Sequence, residues 1–586
     1  MEEQSSNTPN LPAGAQKFIE HIARKSSWRR GIRKEVHREL TAHFEDALSA
    51  VAEAEKDAAI QGLIKDFGDP ALLTALIGRG KRRCQPWWER AALFATKAAA
   101  VLIIFGVAAD IVLSKRSAEA LREEIARIRS AGAPTSVQEV IAQTQQNNGG
   151  AAGLSREDPL KRCQATALLY EIGAMSLDTD TMAHGKSIQD VCDSAASVAQ
   201  LLDTWDSETA KAVDETLTRN REAIEKAHTL AALPLDEPAD ILWFQTEYRP
   251  ERSREMGLPD QTNGLPAELE RLTGPENLIR YLDVGTLLSL DAWKAMKEQQ
   301  TGTAMMDAMT AVALSTHVSG ICRTVVGTLV AVVLRQRAMD AVVQPLLNRA
   351  DVPEETQTRF LDKVAQMNCD GSITRSMAWE RLFLLNGLKM IENGEHVFAQ
   401  ANGDNSLSAR LLRSRLDPLV LRARLLPFLH NNDAMVALDF KNRLMDEMAL
   451  PYPEYKTRIP KWKKDLKNIS AWQAPVAKMT LPNLLGLKDD ITACGAHEDL
   501  MRAAFALRRF KLARGAYPDT LQALTPTFLC GVPNDRFTGK PLLYRKEGEG
   551  CVFYSAGMNL RDDGGGKNDR VEDKDRADDI AWNLTR

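Results

Sequence analysis

The longest hydrophobic run lies between Ala91 and Leu113, AALFATKAAAVLIIFGVAADIVL, 23 residues interrupted only by Lys97 and Asp110. About 20 helical residues cross a hydrocarbon core of roughly 30 Å, so the run predicts a transmembrane helix, placed with its flanks at residues 87–114. Each of the two charges would cost about 2.5–3.5 kcal/mol at the bilayer centre. Both stand off centre, where a side chain can reach the interface. Trp87 and Trp88 precede the run, where indole rings favour the headgroup layer. The long helical stretch before it argues against a cleaved signal peptide. A second apolar stretch, Thr324 to Leu334, is too short to span and predicts a buried core helix.

Elsewhere the pattern is mostly helical. Residues 1–14 are polar and contain proline, which predicts disorder. Residues 15–86 form a helical prefix. Ile32, Val36, Leu40 and Phe44 make one apolar stripe, and a second helix over Ala58 to Phe67 stops at Gly68-Asp69-Pro70. Pro70 suits the first turn of a third helix through Leu72, Leu73 and Leu76. Residues 115–154 read as a juxtamembrane stalk and linker. Ser136 with Glu139 matches a capping box, and the stretch QTQQNNGGAAG has linker composition.

Residues 155–495 carry helical periodicity almost throughout, clearest in Ala165–Met175, Ile188–Trp205, Leu278–Met296, Met305–Leu347 and Leu407–Leu429. No repeat period emerges, so a solenoid is not expected. From residue 496 the pattern changes. A helix carrying Leu500, Ala504 and Leu507 ends at Gly515, and short strand-like pieces follow, among them Leu542–Tyr544 and Val552–Ser555. The expected fold is mainly α: a small N-terminal bundle, one transmembrane helix, a large all-α domain at 155–495 and a small α+β module at 496–586.

Charge narrows the partners. With 75 Lys+Arg against 79 Asp+Glu the net charge is −4, which leaves no overall basic field for nucleic acid. Basic residues flank the span almost evenly, Arg79, Lys81, Arg82, Arg83 and Arg90 before it and Lys115, Arg116, Arg122, Arg127 and Arg129 after it. A cytoplasmic N-terminus is expected on two other grounds. A long C-terminal domain translocates largely regardless of local charge, and seven of the eight cysteines follow the span, on the side where an oxidising compartment pairs thiols.

Sites of chemistry are few. The chain has no His-Glu-x-x-His, Gly-x-Ser-x-Gly or phosphate-loop motif, and no catalytic residue is assigned. Glu39, His43 and Asp46 share one helical face, for which a solvated, salt-bridged surface is the ordinary reading. Cys530 and Cys551 flank the strand pair. A disulfide would close a loop of about 20 residues and contribute roughly 3 kcal/mol in an exported domain; two free buried thiols are the competing arrangement.

Two resemblances add to this. Glu35-Val36, Glu39-Leu40, His43 and Asp46, followed by Phe67-Gly68-Asp69-Pro70, resemble the short helical prefix domain that precedes the first span of some bacterial permeases and signalling proteins. That implies a cytoplasmic interaction or sensing bundle. Near the C-terminus, Arg514-Gly515-x-Tyr517-Pro518 is followed by Val532-Pro533-x-Asp535-x-Phe537-x-Gly539-x-Pro541-Leu542-x-Tyr544, Tyr554-Ser555-x-Gly557, Asp562-Asp563-Gly564-Gly565 and Asp578-Asp579-Ile580. This order resembles the globular end of type II secretion pseudopilins. True pseudopilins run straight from a processed hydrophobic helix into this module, whereas here a long chain precedes it, so the resemblance implies a borrowed fold. It also implies calcium in the acidic loop, with Asp563 and Asp578 as carboxylate ligands and Ser555 and Asn559 close by. The expected function is a single-pass protein of the bacterial inner membrane, its C-terminal domain periplasmic. Its role would be non-catalytic binding or scaffolding in the envelope, alongside the lipid bilayer and other envelope or secretion proteins. The alternative is a membrane-anchored hydrolase with its site in the helical middle.

Overall fold

The computed structural model describes residues 11–26, 30–83, 87–136, 163–179, 195–238, 278–366, 369–393, 418–481, 484–565 and 579–585, with a few isolated positions between them. The chain is mainly helical with a small three-stranded sheet, as its periodicity predicts. It divides into two compact units, residues 1–109 and 110–586.

In the first unit, α1 (Ala13–Ser26), α2 (Arg30–Leu48), α3 (Lys56–Asp66) and α4 (Pro70–Arg83) surround one small core. The stripe on α2 turns inward: Val36, Leu40 and Phe44 are buried and Ile32 is partly so. Phe44 stacks on Phe67 and tilts against Phe18. Leu11 is buried against this core and α1 begins at Ala13, so the disorder expected over 1–14 does not extend to those residues; residues 1–10 lie outside the described set. Between α3 and α4 the chain reverses through Gly68 at φ +73°, a left-handed conformation that glycine adopts without a Cβ penalty. The Asp69 carboxylate then accepts the Ala71 N–H at 2.9 Å and caps α4. On α4, Leu73 and Ile77 face the core while Leu72 and Leu76 stay exposed.

Next comes α5 (Trp87–Ser130), 44 continuous residues and therefore about 66 Å long. Its end at Gly132 leads to the expected capping box, in which Ser136 Oγ accepts the Glu139 N–H at 3.2 Å and the Glu139 carboxylate accepts the Thr135 N–H at 2.7 Å. Residues 144–162, which include most of the expected linker, lie outside the described set.

The body opens with α6 (Gln164–Ala174) and a two-residue ladder, β1 (Met182–Ala183) with β2 (Lys186–Ser187). Then follow α7 (Ala195–Asp203), α8 (Ser207–Arg219), α9 (Arg221–Ala232), α10 (Ile279–Lys297) and α11 (Thr301–Ile321). The single helix expected over Met305–Leu347 is broken. α11 stops at Ile321, and Thr324 restarts the chain by accepting the Gly327 N–H at 3.2 Å on its side chain, so α12 spans Val325–Arg337. Gly327 permits the tight corner, because a Cβ there would stand 2.1 Å from the Cys322 carbonyl oxygen. As expected, α12 is largely buried, and it continues through a π-helical turn at Ala338–Val343 into α13 (Gln344–Arg349).

Next are α14 (Glu354–Ala365), α15 (Cys369–Asn393), α16 (Pro418–Leu425), α17 (Pro427–Met448), α18 (Tyr452–Asn468) and α19 (Pro475–Thr480). Of the predicted Leu407–Leu429 helix, residues 407–417 lie outside the described set, and the rest divides at Leu426 ahead of Pro427.

The expected boundary at residues 495 and 496 falls inside α20 (Leu487–Arg514), a single 28-residue helix. Ile491, Cys494, Leu500, Met501, Phe505 and Leu507 are all buried along it, so its apolar surface serves the helical body and the C-terminal strands together. After a 3₁₀ turn at Leu521–Leu524 come β3 (Leu543–Glu547), β4 (Gly550–Ser555) and β5 (Ile580–Leu584), an antiparallel sheet in the order β3-β4-β5 with Tyr544 opposite Phe553 and Phe553 opposite Trp582. β4 is buried throughout, and β4 and β5 lie against α20. Polar bonds tie the strands to the body. The Asn348 side chain donates to the Asn583 carbonyl and accepts the Thr585 N–H, each at 2.9 Å, and Arg508 pairs with Asp351.

Candidate functional site

Three places in the chain bear on function, and the first is the middle of α5. Among the described residues one helix is long and apolar enough to cross a membrane, and none of its most apolar window is buried by protein. Leu102, Ile103, Ile104 and Val107 are exposed, and Phe105 is 76% exposed. A core helix of a soluble globule would show the reverse, because exposing this many aliphatic side chains to water is unfavourable at about 25 cal/mol per Å². The helix outlasts the apolar stretch. Beyond it, Ser117 Oγ accepts from Asn431 Nδ2 at 3.1 Å, Glu124 accepts from Asn442 Nδ2 at 2.9 Å, and Ile128 joins the body core.

The second place is the acidic loop after β4. Asn559 and Asp563 are brought together, with Asn559 Nδ2 donating to Asp563 Oδ2 at 2.6 Å. Ser555 is turned elsewhere. It is fully buried and donates to Asp535 Oδ1 at 2.5 Å, and that carboxylate also holds Phe537 N, Thr538 Oγ1 and Ala556 N. The Ser555 hydroxyl therefore fastens β4 to the preceding turn instead of facing the loop. Asp578 lies outside the described residues. Its neighbour Asp579 occupies the loop's base, where Oδ2 accepts the N–H groups of Asp563 at 3.0 Å and Gly565 at 2.7 Å. Among the described residues, Asp579 Oδ1 is buried without a hydrogen-bond partner. Burial raises the Asp579 carboxyl above its usual range, the two N–H groups pull it back, and Asp563 and Asp562 push it further up. Asp562 accepts the Tyr554 hydroxyl at 2.9 Å. Each of these loop carboxylates thus accepts at least one hydrogen bond within the loop and its flanking strands.

Cys530 and Cys551 are free thiols rather than a bridge, Cys530 exposed and Cys551 buried. Burial pushes the Cys551 thiol up to about 12 against a hydrogen bond with Tyr544. In the prefix, the exposed His43 ring packs edge-on against Phe67 at 5.4 Å.

The third place is invisible to motif reading. His228 on α9, Asp291 on α10 and Asp307 on α11 each offer one ligand atom, and these atoms lie within 4.8 Å of one another. Asp307 is 1% exposed, and among the described residues neither of its oxygens receives a directed hydrogen bond, although Oδ1 stands 3.2 Å from His228 Nε2. His228 Nδ1 is 2.8 Å from Thr310 Oγ1. Burial pushes the Asp307 carboxyl up to about 6, with His228 opposing and Asp291 adding to the rise. Asp291 is itself raised by burial, against the pull of His228 and Lys294. The only sequence trace is Asp307 standing between Ala304 and Ala311 on the buried face of an apolar helix.

No protein-family model, curated protein or solved structure matches this chain, so its function is read from its own residues.

Proposed function

We propose that this is a single-pass protein of the bacterial inner membrane, with the apolar part of α5 (residues 87–114) in the bilayer, the prefix bundle in the cytoplasm and residues 115–586 in the periplasm. There it acts as a binding or scaffolding element of the envelope associated with secretion. The exposed apolar girdle of α5 carries the proposal, because lipid is the solvent that such a surface requires. The Phe67-Gly68-Asp69-Pro70 turn and the Tyr554-Ser555-x-Gly557 strand with its acidic loop, through their resemblances, support the assignments of the two ends. Carbonate washing of membranes tests the anchor: the full chain should stay in the pellet, and its release with peripheral proteins would contradict the proposal.

Calcium in the C-terminal loop belongs to the same proposal, held by Asp563 and Asp579 with Asp562 beside them. It would stabilise the loop by offsetting the repulsion that Asp563 and Asp562 exert on Asp579. At 100 times its Kd a bound ion adds about 2.7 kcal/mol. Calcium should therefore raise the unfolding temperature of the full chain in micelles, and Asp563→Asn with Asp579→Asn should abolish that rise. An equal rise in the double variant would remove calcium from this loop.

One observation favours the second function, an anchored hydrolase. Thr310 Oγ1 lies 2.8 Å from His228 Nδ1 and His228 Nε2 lies 3.2 Å from Asp307 Oδ1, the order of groups, though not the hydrogen bonding, of a nucleophilic relay. Thr310, however, is only 2% exposed, which shields its hydroxyl from a substrate carbonyl. Binding therefore remains the better-supported role.

A further inference from the structure

We propose that His228, Asp291 and Asp307 form a binding site for a divalent transition-metal ion of the zinc or manganese class, built where α9, α10 and α11 meet. The cluster's orphaned carboxylate is the main reason. Asp307 is buried, among the described residues neither of its oxygens receives a directed hydrogen bond, and it faces the His228 imidazole nitrogen at 3.2 Å and a second carboxylate. A buried carboxylate left this way is costly unless a cation completes it.

The charge arithmetic agrees. Asp291 and Asp307 bring two negative charges, and Lys294, whose charge acts on Asp291, is bound at 2.6 Å to Asp214 and lies 3.9 Å from Glu298. A divalent ion would neutralise the pair. The donor set selects the class, since an imidazole with carboxylates suits zinc and manganese, whereas calcium and magnesium take oxygen ligands.

The second layer is also in place. Thr310 Oγ1 at 2.8 Å fixes the His228 ring so that Nε2 faces the carboxylates, the support that metal-binding histidines ordinarily receive from a neighbouring acceptor. An ion at about 2.1 Å from each ligand needs ligand atoms roughly 3–4 Å apart, and the present limit of 4.8 Å requires only a small side-chain adjustment. His228 retains 31% side-chain exposure, which gives the ion a route in and leaves room for water as a further ligand. The site does not depend on the membrane assignment or on the C-terminal loop.

The test uses the full chain in detergent micelles, stripped with a chelator and then titrated separately with Zn²⁺, Mn²⁺ and Ca²⁺ by calorimetry. The expected result is one equivalent of Zn²⁺ or Mn²⁺ that survives Asp563→Asn/Asp579→Asn and is lost at least 100-fold in affinity in Asp307→Asn. His228→Gln, at a partly exposed position, should lose it similarly without unfolding. Thr310→Val should weaken it about 10- to 100-fold, since outer partners of metal ligands have effects of that size. Thermal unfolding separates this from a purely structural pair. With an empty metal site, Asp307→Asn removes an uncompensated charge and should unfold no earlier than wild type. Absence of stoichiometric Zn²⁺ or Mn²⁺ binding, unchanged affinity in Asp307→Asn, tighter binding of Ca²⁺ at this site, or a marked loss of stability in metal-free Asp307→Asn would each overturn the proposal.

Discussion

Arginine at Ile103 and Phe105 together should move the full-length chain out of carbonate-washed membranes. Both side chains are exposed near the midpoint of the apolar stretch, with no protein around them to accept a charge. Each arginine is unfavourable by about 2.5–3.5 kcal/mol at the centre of a spanning helix, so the pair opposes insertion by roughly 5–7 kcal/mol. Depth makes the expectation specific. Phe94 is equally exposed but lies towards the end of the stretch, where an arginine snorkels to the interface, and Phe94→Arg should remain in the pellet. If the exposed apolar surface were instead covered by another protein, the three positions would not sort by depth. Equal release of Phe94→Arg and Ile103→Arg/Phe105→Arg would then be the outcome.

The second large effect lies at the junction of the body with the C-terminal strands. Arg335 on α12 is fully buried, and its Nε donates to Glu498 Oε1 on α20 at 2.6 Å while a second donor meets the Val364 carbonyl. Glu498→Ala would leave a buried guanidinium without its carboxylate, a change that typically costs 3–5 kcal/mol, so the urea midpoint of residues 110–586 should fall sharply. Replacing both partners, Arg335→Met with Glu498→Leu, should recover most of the loss, because the desolvation of two charges disappears with them. The transition should also stay single for fluorescence and circular dichroism, since α20 and its strands share one core with the helical body. A separate early transition for the strands after Glu498→Ala would mean that the two parts fold independently.

Local signals in the sequence carried much of the architecture. The Phe67-Gly68-Asp69-Pro70 turn, the stripe on α2, the capping box at Ser136 and Glu139 and the apolar run of α5 each depend on neighbouring residues, and each is found where the pattern places it. Long-range decisions were not legible. Nothing in the run from Met305 to Leu347 reveals that the chain turns a corner at Cys322, because Gly327 is needed there only to clear a backbone oxygen. The strand β5 shows a short alternation, with Trp582 and Leu584 buried, that the acidic tail before it obscures. The boundary at residue 496 followed a change in composition, whereas the packing of α20 follows its apolar surface on both sides.

The same division holds for the sites. Asn559 and Asp563, four residues apart, are joined by a side-chain hydrogen bond, while Ser555 is claimed by Asp535, twenty residues earlier. His228, Asp291 and Asp307 come from three helices, and only the folded chain joins them.

The most direct measurement is the labelling of single thiols by a membrane-impermeant maleimide on intact spheroplasts. Cys530 is exposed and free, and Ser49→Cys places a thiol on the exposed surface of the prefix. The account predicts that Cys530 is labelled from outside, with the signal lost in Cys530→Ser, and that Ser49→Cys is labelled only after permeabilisation. Labelling of both positions from outside, or of neither until the membrane is opened, would contradict it.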